Sequence, residues 1–136
     1  METLYECCCG LDVHLKTVVA CLLKADGAKV HKQVRVFKTM TQDILALSDW
    51  LRAAGCTHVA MESTGVYWKP IWNVLEEQGF ERLLVVKPVQ VKALKGRKSD
   101  GRDCQRTAEF LQDRRLDASF VPPPEIRELR QLLRHR

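Results

Sequence analysis

Leu4-Tyr5-Glu6-Cys7-Cys8-Cys9-Gly10-Leu11-Asp12-Val13 is a mostly apolar run with a carboxylate near its end. It reads as a first strand, Leu4 to Val13. An acid there is unusual, because desolvating a carboxylate is costly unless a cation or a donor meets it. A lone Asp after a strand is commonly a turn former, but the pattern runs on through Val13, so a turn is the less natural reading. A second apolar run, His58-Val59-Ala60-Met61, closes on Glu62. Asp100 and Asp103 lie three residues apart at the expected start of a helix, which puts them on one face of it. Three separated segments each deliver an acid to one end of a sheet. Four carboxylates so placed can neutralise two divalent cations, Mg²⁺ or Mn²⁺, which is the chemistry of phosphodiester cleavage. The plainer alternatives are a strand-end acid pairing with a base for Glu62, and acids favoured by a helix N-terminus for Asp100 and Asp103.

Outward from these acids the chain alternates in period. Lys16 to Leu23 is a β-branched stretch, Asp26-Gly27 is a turn signal, and Val30, Val34, Val36 and Phe37 make a third strand. Short turns between three strands imply an antiparallel meander. Thr41 can cap a helix from Gln42 to about Ala54, with Ile44, Leu45, Leu47 and Leu51 on one face, stopped by Gly55. Thr57 to Met61 is strand four. Ser63-Thr64-Gly65 is a turn and cap, and Val66 to Gln78 is a helix with Trp68, Ile71, Trp72 and Leu75 inward, ended by Gly79. Leu83 to Val86 is strand five. Pro88 can open a short helix through Leu94, Lys95 to Ser99 is a basic loop, and Asp100 starts a helix through about Arg114. Pro122-Pro123-Pro124 breaks the chain before a last helix from Glu125 to Arg136. Three meander strands followed by helix, strand, helix, strand, helix is the order of an α/β ribonuclease-H-like mixed sheet with flanking helices, in which Asp12 and Glu62 meet at the sheet centre.

With 136 residues the chain suits one domain with a real core. No apolar run approaches the roughly 20 residues of a membrane span, and Met1-Glu2-Thr3 lacks the basic start of a secretory signal, so a cytoplasmic protein without a membrane partner is expected. The net charge of +5 is uneven: residues 87–136 carry 13 Lys+Arg against 7 Asp+Glu, and residues 1–86 carry 9 against 10. Acids set among bases suit metal ions facing a phosphate backbone, which makes Lys95, Arg97, Lys98 and Arg102 candidate nucleic-acid contacts. A solvated charged helix surface is the plain alternative. Six cysteines invite a zinc or disulfide reading, but no C-x-x-C pair exists. Adjacent cysteines on a strand point to opposite faces, so Cys7, Cys8 and Cys9 cannot present three ligands to one ion. Buried free thiols are expected.

Four motifs in order strongly resemble one family: Gly10-Leu11-Asp12-Val13-His14; Met61-Glu62-Ser63-Thr64-Gly65-Val66-Tyr67-Trp68; Gly96-Arg97-Lys98-Ser99-Asp100-Gly101-Arg102-Asp103; and Phe120-Val121-Pro122-Pro123 with Ile126-Arg127-Glu128-Leu129-Arg130. They resemble the DEDD transposases of insertion-sequence family one hundred and ten, which includes the Piv invertase. The resemblance spans essentially the whole chain. It implies a RuvC-like N-terminal domain over residues 1–121, the four acids Asp12, Glu62, Asp100 and Asp103 as its catalytic and metal-binding set, and Mg²⁺. It further implies DNA and a structured guide RNA as partners and a homo-oligomer that shares its site between protomers. Residues 122–136 are then the start of a helical linker to a second domain that supplies a DNA-attacking serine. No such domain follows Arg136, so the expected fragment binds nucleic acid and is inactive alone. Cys104 stands where a small residue such as Ala is expected, and Ser99 where Thr is usual.

Three other functions compete with the acid domain of a DNA transposase. One is a nucleic-acid-binding and dimerisation module, inert alone. Another is a Holliday-junction-resolvase-like nuclease, which would cut without a second domain. An actin-like ATPase would need glycine-rich phosphate loops, and Gly10 followed directly by Leu11-Asp12 offers none.

Overall fold

A computed structural model describes residues 5–63, 66–86 and 103–112. The expected helix Pro88–Leu94, the basic loop with Lys95, Arg97 and Lys98, the acid Asp100, Arg102, the proline break and the linker over 122–136 all lie outside the described residues.

The strands are β1 (Cys7–Val13), β2 (Thr17–Asp26), β3 (Lys29–Lys38), β4 (His58–Ser63) and β5 (Arg82–Val86); the helices are α1 (Thr41–Ala53), α2 (Trp68–Glu76) and α3 (Asp103–Gln112). The sheet order is β3-β2-β1-β4-β5. The meander β1–β2–β3 is antiparallel, while β4 lies parallel to both β1 and β5.

The central position of β1 explains its composition. A strand covered on both faces reads as a continuous apolar run rather than an alternation. Every β1 residue is buried except Asp12, which is partly exposed. Leu11 and Val13, with Val18, Ala20, Leu22, Val59 and Met61, face the layer of α1 and α2, where Ile44, Leu47, Leu51, Ile71, Trp72 and Leu75 complete one core. On the other face Cys8, Cys21, Leu23, Ala60, Leu84 and Val86 meet Cys104, Ala108, Phe110 and Leu111 of α3. Strand alternation therefore splits the cysteine triplet, Cys7 and Cys9 to one core and Cys8 to the other. All six cysteines are free and buried.

Element ends differ in detail from the expectations. Asp26 pairs with Lys29, so the hairpin ladder carries β2 three residues past Leu23 to the Asp26-Gly27 turn. Thr41 is not the cap of α1 but its first residue; Met40 holds the N-cap position in extended conformation, with no side-chain cap hydrogen bond. Leu45 is 41% exposed, because the buried stripe of α1 runs through Ile44, Leu47, Ser48 and Leu51 instead. α2 begins at Trp68, not Val66, behind a single turn in which the Lys69 amide bonds to the Val66 carbonyl. Gly55 and Gly79 follow α1 and α2 with φ of 83° and 81°, a left-handed conformation that ends a helix at least cost with glycine. Among the described residues no helix is long and apolar enough to cross a membrane.

Candidate functional site

Asp12 and Glu62 are direct register partners on the parallel pair β1 and β4. Neighbouring strands lie about 4.8 Å apart and register partners share a face, so both carboxylates stand on the side of the sheet that α3 covers. Each is the penultimate residue of its strand. They therefore sit at the carboxyl ends of parallel strands, where open α/β sheets commonly place a ligand crevice.

The two acids have different surroundings. The Asp12 side chain is 18% exposed, and its Oδ2 lies 3.0 Å from His14 Nε2 at the surface. Glu62 is buried, and its Oε2 accepts a 3.1 Å hydrogen bond from the Thr107 hydroxyl, itself fully buried on α3. A buried carboxylate needs such donors, and this one also fixes the angle at which Glu62 meets its neighbour.

α3 is seated by a missing side chain. A Cβ on Gly10 would strike the Cys104 carbonyl oxygen and stand 2.5 Å from the Ala108 amide nitrogen. The absent Cβ lets the helix backbone rest on β1. The Tyr5 amide bonds to the Gln112 carbonyl at 3.2 Å, so the carboxyl end of α3 lies at the start of β1. The helix consequently runs against β1 and brings its amino end toward Asp12 and Glu62. Asp103 is the first residue of α3, four residues before Thr107.

Of the four acids singled out from sequence, the structure thus pairs Asp12 with Glu62 and makes Asp103 the first residue of α3. Asp100 lies outside the described residues. Among the described residues no three His, Cys, Asp or Glu side chains form a cluster that could hold a metal ion. Sequence reasoning missed Thr107 and assigned no role to His14. It also passed over Gly10, although a glycine inside an apolar strand is a signal that another backbone approaches closely.

A model of the DEDD transposases, insertion-sequence family one hundred and ten, described as a transposase, matches residues 9–136. The chain belongs to the DEDD transposase family. No curated protein matches it. Among solved structures, this DEDD transposase is similar to Thermus thermophilus RuvC in complex with a Holliday junction substrate, with TM-score 0.57, 14% identity, and 85% of this chain and 98% of that one covered. It is also similar to a second Thermus thermophilus RuvC structure, with TM-score 0.56, 17% identity, and 83% and 98% covered. At such identities the likeness is one of fold: the DEDD transposase has a RuvC-like, ribonuclease-H-like sheet. The family makes this a domain of a DNA-recombining enzyme that acts in transposition.

Proposed function

We propose that Asp12, Glu62, Asp100 and Asp103 form the metal-binding and catalytic set of this transposase domain, with Mg²⁺ or Mn²⁺ as cofactor and DNA as substrate. The observation that carries the reading is the register pairing of Asp12 with Glu62 beneath the amino end of α3. An all-oxygen carboxylate set suits a hard divalent cation. Such cations supply Lewis-acid stabilisation of a phosphate under attack and a nucleophile of lowered pKa. The chain's own residues do the positioning. The Thr107 hydroxyl holds Glu62, the rigid parallel pair holds the spacing of the two acids, and the partly exposed Asp12 edge gives a phosphate access.

A structured guide RNA and a homo-oligomeric assembly are the finer part of this reading. They are supported by the motif resemblance and, for RNA, by the basic segment that contains Lys95, Arg97, Lys98 and Arg102. The deciding experiment incubates the chain with labelled duplex and four-way-junction DNA, with and without Mn²⁺, beside Asp12→Asn and Glu62→Gln. The expected result is metal-dependent stabilisation of the wild type that either substitution removes. Equal metal response in all three proteins would overturn the assignment. Metal-dependent nicking of the junction by this chain alone, lost with Asp12→Asn, would favour a resolvase-like nuclease instead.

A further inference from the structure

β3 is an edge strand of ten residues, and it carries Lys29, Lys32, Arg35 and Lys38 at a strict spacing of three. No acid occurs between Asp26 and Asp43. All four cations are exposed. We propose that this edge is a docking surface for the phosphate backbone of duplex DNA, continuous with the Asp12–Glu62 site.

The geometry of the sheet supports the continuity. Register partners run in one row from Glu62 to Asp12, to Val19 on β2, to Val36 on β3. All four stand on the α3 face. α3 covers this face only in part. Lys32 reaches it, with its Nζ 3.1 Å from Gln105 Oε1, and Val34 is partly buried against it. Two residues further along, Val36 is 59% exposed. Among the described residues an open strip of sheet therefore leads from the acid pair to the β3 edge, and Lys38, opposite Thr17, flanks its outer end.

The dimensions suit a duplex. Ten residues at about 3.3 Å each span about 33 Å, close to the roughly 34 Å of one duplex turn. Three-residue steps place a cation about every 10 Å along the edge, alternately toward the two faces. Arg35 is braced over the rings of Phe37 and Trp50, 5.2 Å from each centroid, which holds a guanidinium at the rim with no acidic partner among the described residues. Lysines on an edge strand also discourage pairing with other sheets. That role alone would not need four cations over one duplex turn beside an acid site.

The inference shares its partner with the proposed function but is read by a different signal. Binding of a fluorescent 30-base-pair duplex is followed by anisotropy across a salt series, for the wild type and for Lys29→Gln/Lys38→Gln, which spares the Lys32 and Arg35 contacts. Each lost phosphate contact lowers the log–log salt slope by about 0.9, so the double variant should lose about two from the slope. Its melting temperature and its Mn²⁺-induced melting rise should be unchanged. An unchanged slope in the folded variant would overturn the docking surface, whatever the metal response. So would self-association of the variant with unaltered DNA binding, since the lysines would then only guard the edge. Binding confined to RNA hairpins would overturn the choice of duplex DNA. Loss of the metal response in the wild type, with the slope change intact, would instead strike the acid site and leave the edge standing.

Discussion

The backbone of Cys104 lies directly over Gly10, so a helix and a central strand meet at a strand position without a side chain. The three nearest neighbours of the missing Cβ are all main-chain atoms of α3: the Cys104 carbonyl oxygen and the Ala108 amide nitrogen and Cα. None can rotate away. Gly10→Ala must therefore push α3 off the sheet or strain it. Overpacking of this kind typically costs about 1–3 kcal/mol. The urea midpoint should fall accordingly, and the Mn²⁺ response should fall with it, because the Thr107–Glu62 bond depends on where α3 sits. A fully stable Gly10→Ala protein would show that α3 does not rest on β1 as described.

Thr107 offers a finer test, since it changes one donor and little volume. Thr107→Val removes one hydrogen bond from the buried Glu62 carboxylate, and a hydrogen bond to a charged group is worth about 1.5–3 kcal/mol. Outer partners of metal ligands typically affect metal affinity by about 10–100-fold. Calorimetric titration with Mn²⁺ should show weakening in that range for Thr107→Val and recovery in Thr107→Ser, which keeps the hydroxyl. If valine and serine behave alike, the hydroxyl does not orient Glu62.

The strand acids were legible in the sequence because their signal is local. An apolar run that closes on a carboxylate needs no tertiary knowledge to look odd, and both β1 and β4 followed from it. The antiparallel meander followed from short turns between three strands, and the fold class from the alternation of helix and strand after it. What stayed hidden depends on contacts between distant segments. Thr107 looks like any helix residue until α3 is laid on Glu62, 45 positions away. Leu45 fits the apolar stripe of α1 as well as Leu47 does, and only the angle of the helix on the sheet exposes one and buries the other. β3 reads as an ordinary strand, and its place at the edge, which turns its lysines into a surface, emerges only from the pairing.

The buried thiols should differ sharply in reactivity. Cys7 lines a cleft with Tyr5, Lys24 and His58, where the Tyr5 and His58 rings stack at 3.6 Å. A hydrogen bond from Cys56 is the main influence that draws the Cys7 thiol below its usual range, with a lesser contribution from Lys24. Burial pushes Cys9 well up, and hydrogen bonding to Cys7 and to Cys104 does the same for Cys56 and Cys21. Since the thiolate is the nucleophile, iodoacetamide should label Cys7 first in the folded chain. Its rate should level off at a lower pH than for free cysteine, because the thiolate is complete once pH passes a depressed pKa. Peptide mapping by mass spectrometry reads the site. Uniform labelling of all six cysteines in the folded protein would contradict the two-core packing.

Metal binding gives the most direct reading of the acid pair. A ligand that binds only the folded chain stabilises it by mass action, about 2.7 kcal/mol at a hundred times its Kd, a melting rise on the order of 10 °C for a chain of this size. Mg²⁺ or Mn²⁺ should produce such a rise, and chelation should reverse it. Asp12→Asn keeps the shape of the side chain and removes the charge, so it should abolish most of the rise while leaving the sheet intact. Glu62→Gln should act in the same direction, since the amide oxygen can still accept the Thr107 hydrogen bond while the charge that would hold the metal is gone. Loss of the metal response with the fold retained in both variants separates metal binding from packing. A metal response that survives in Asp12→Asn would leave that residue a structural role only, held by His14 at the end of β1.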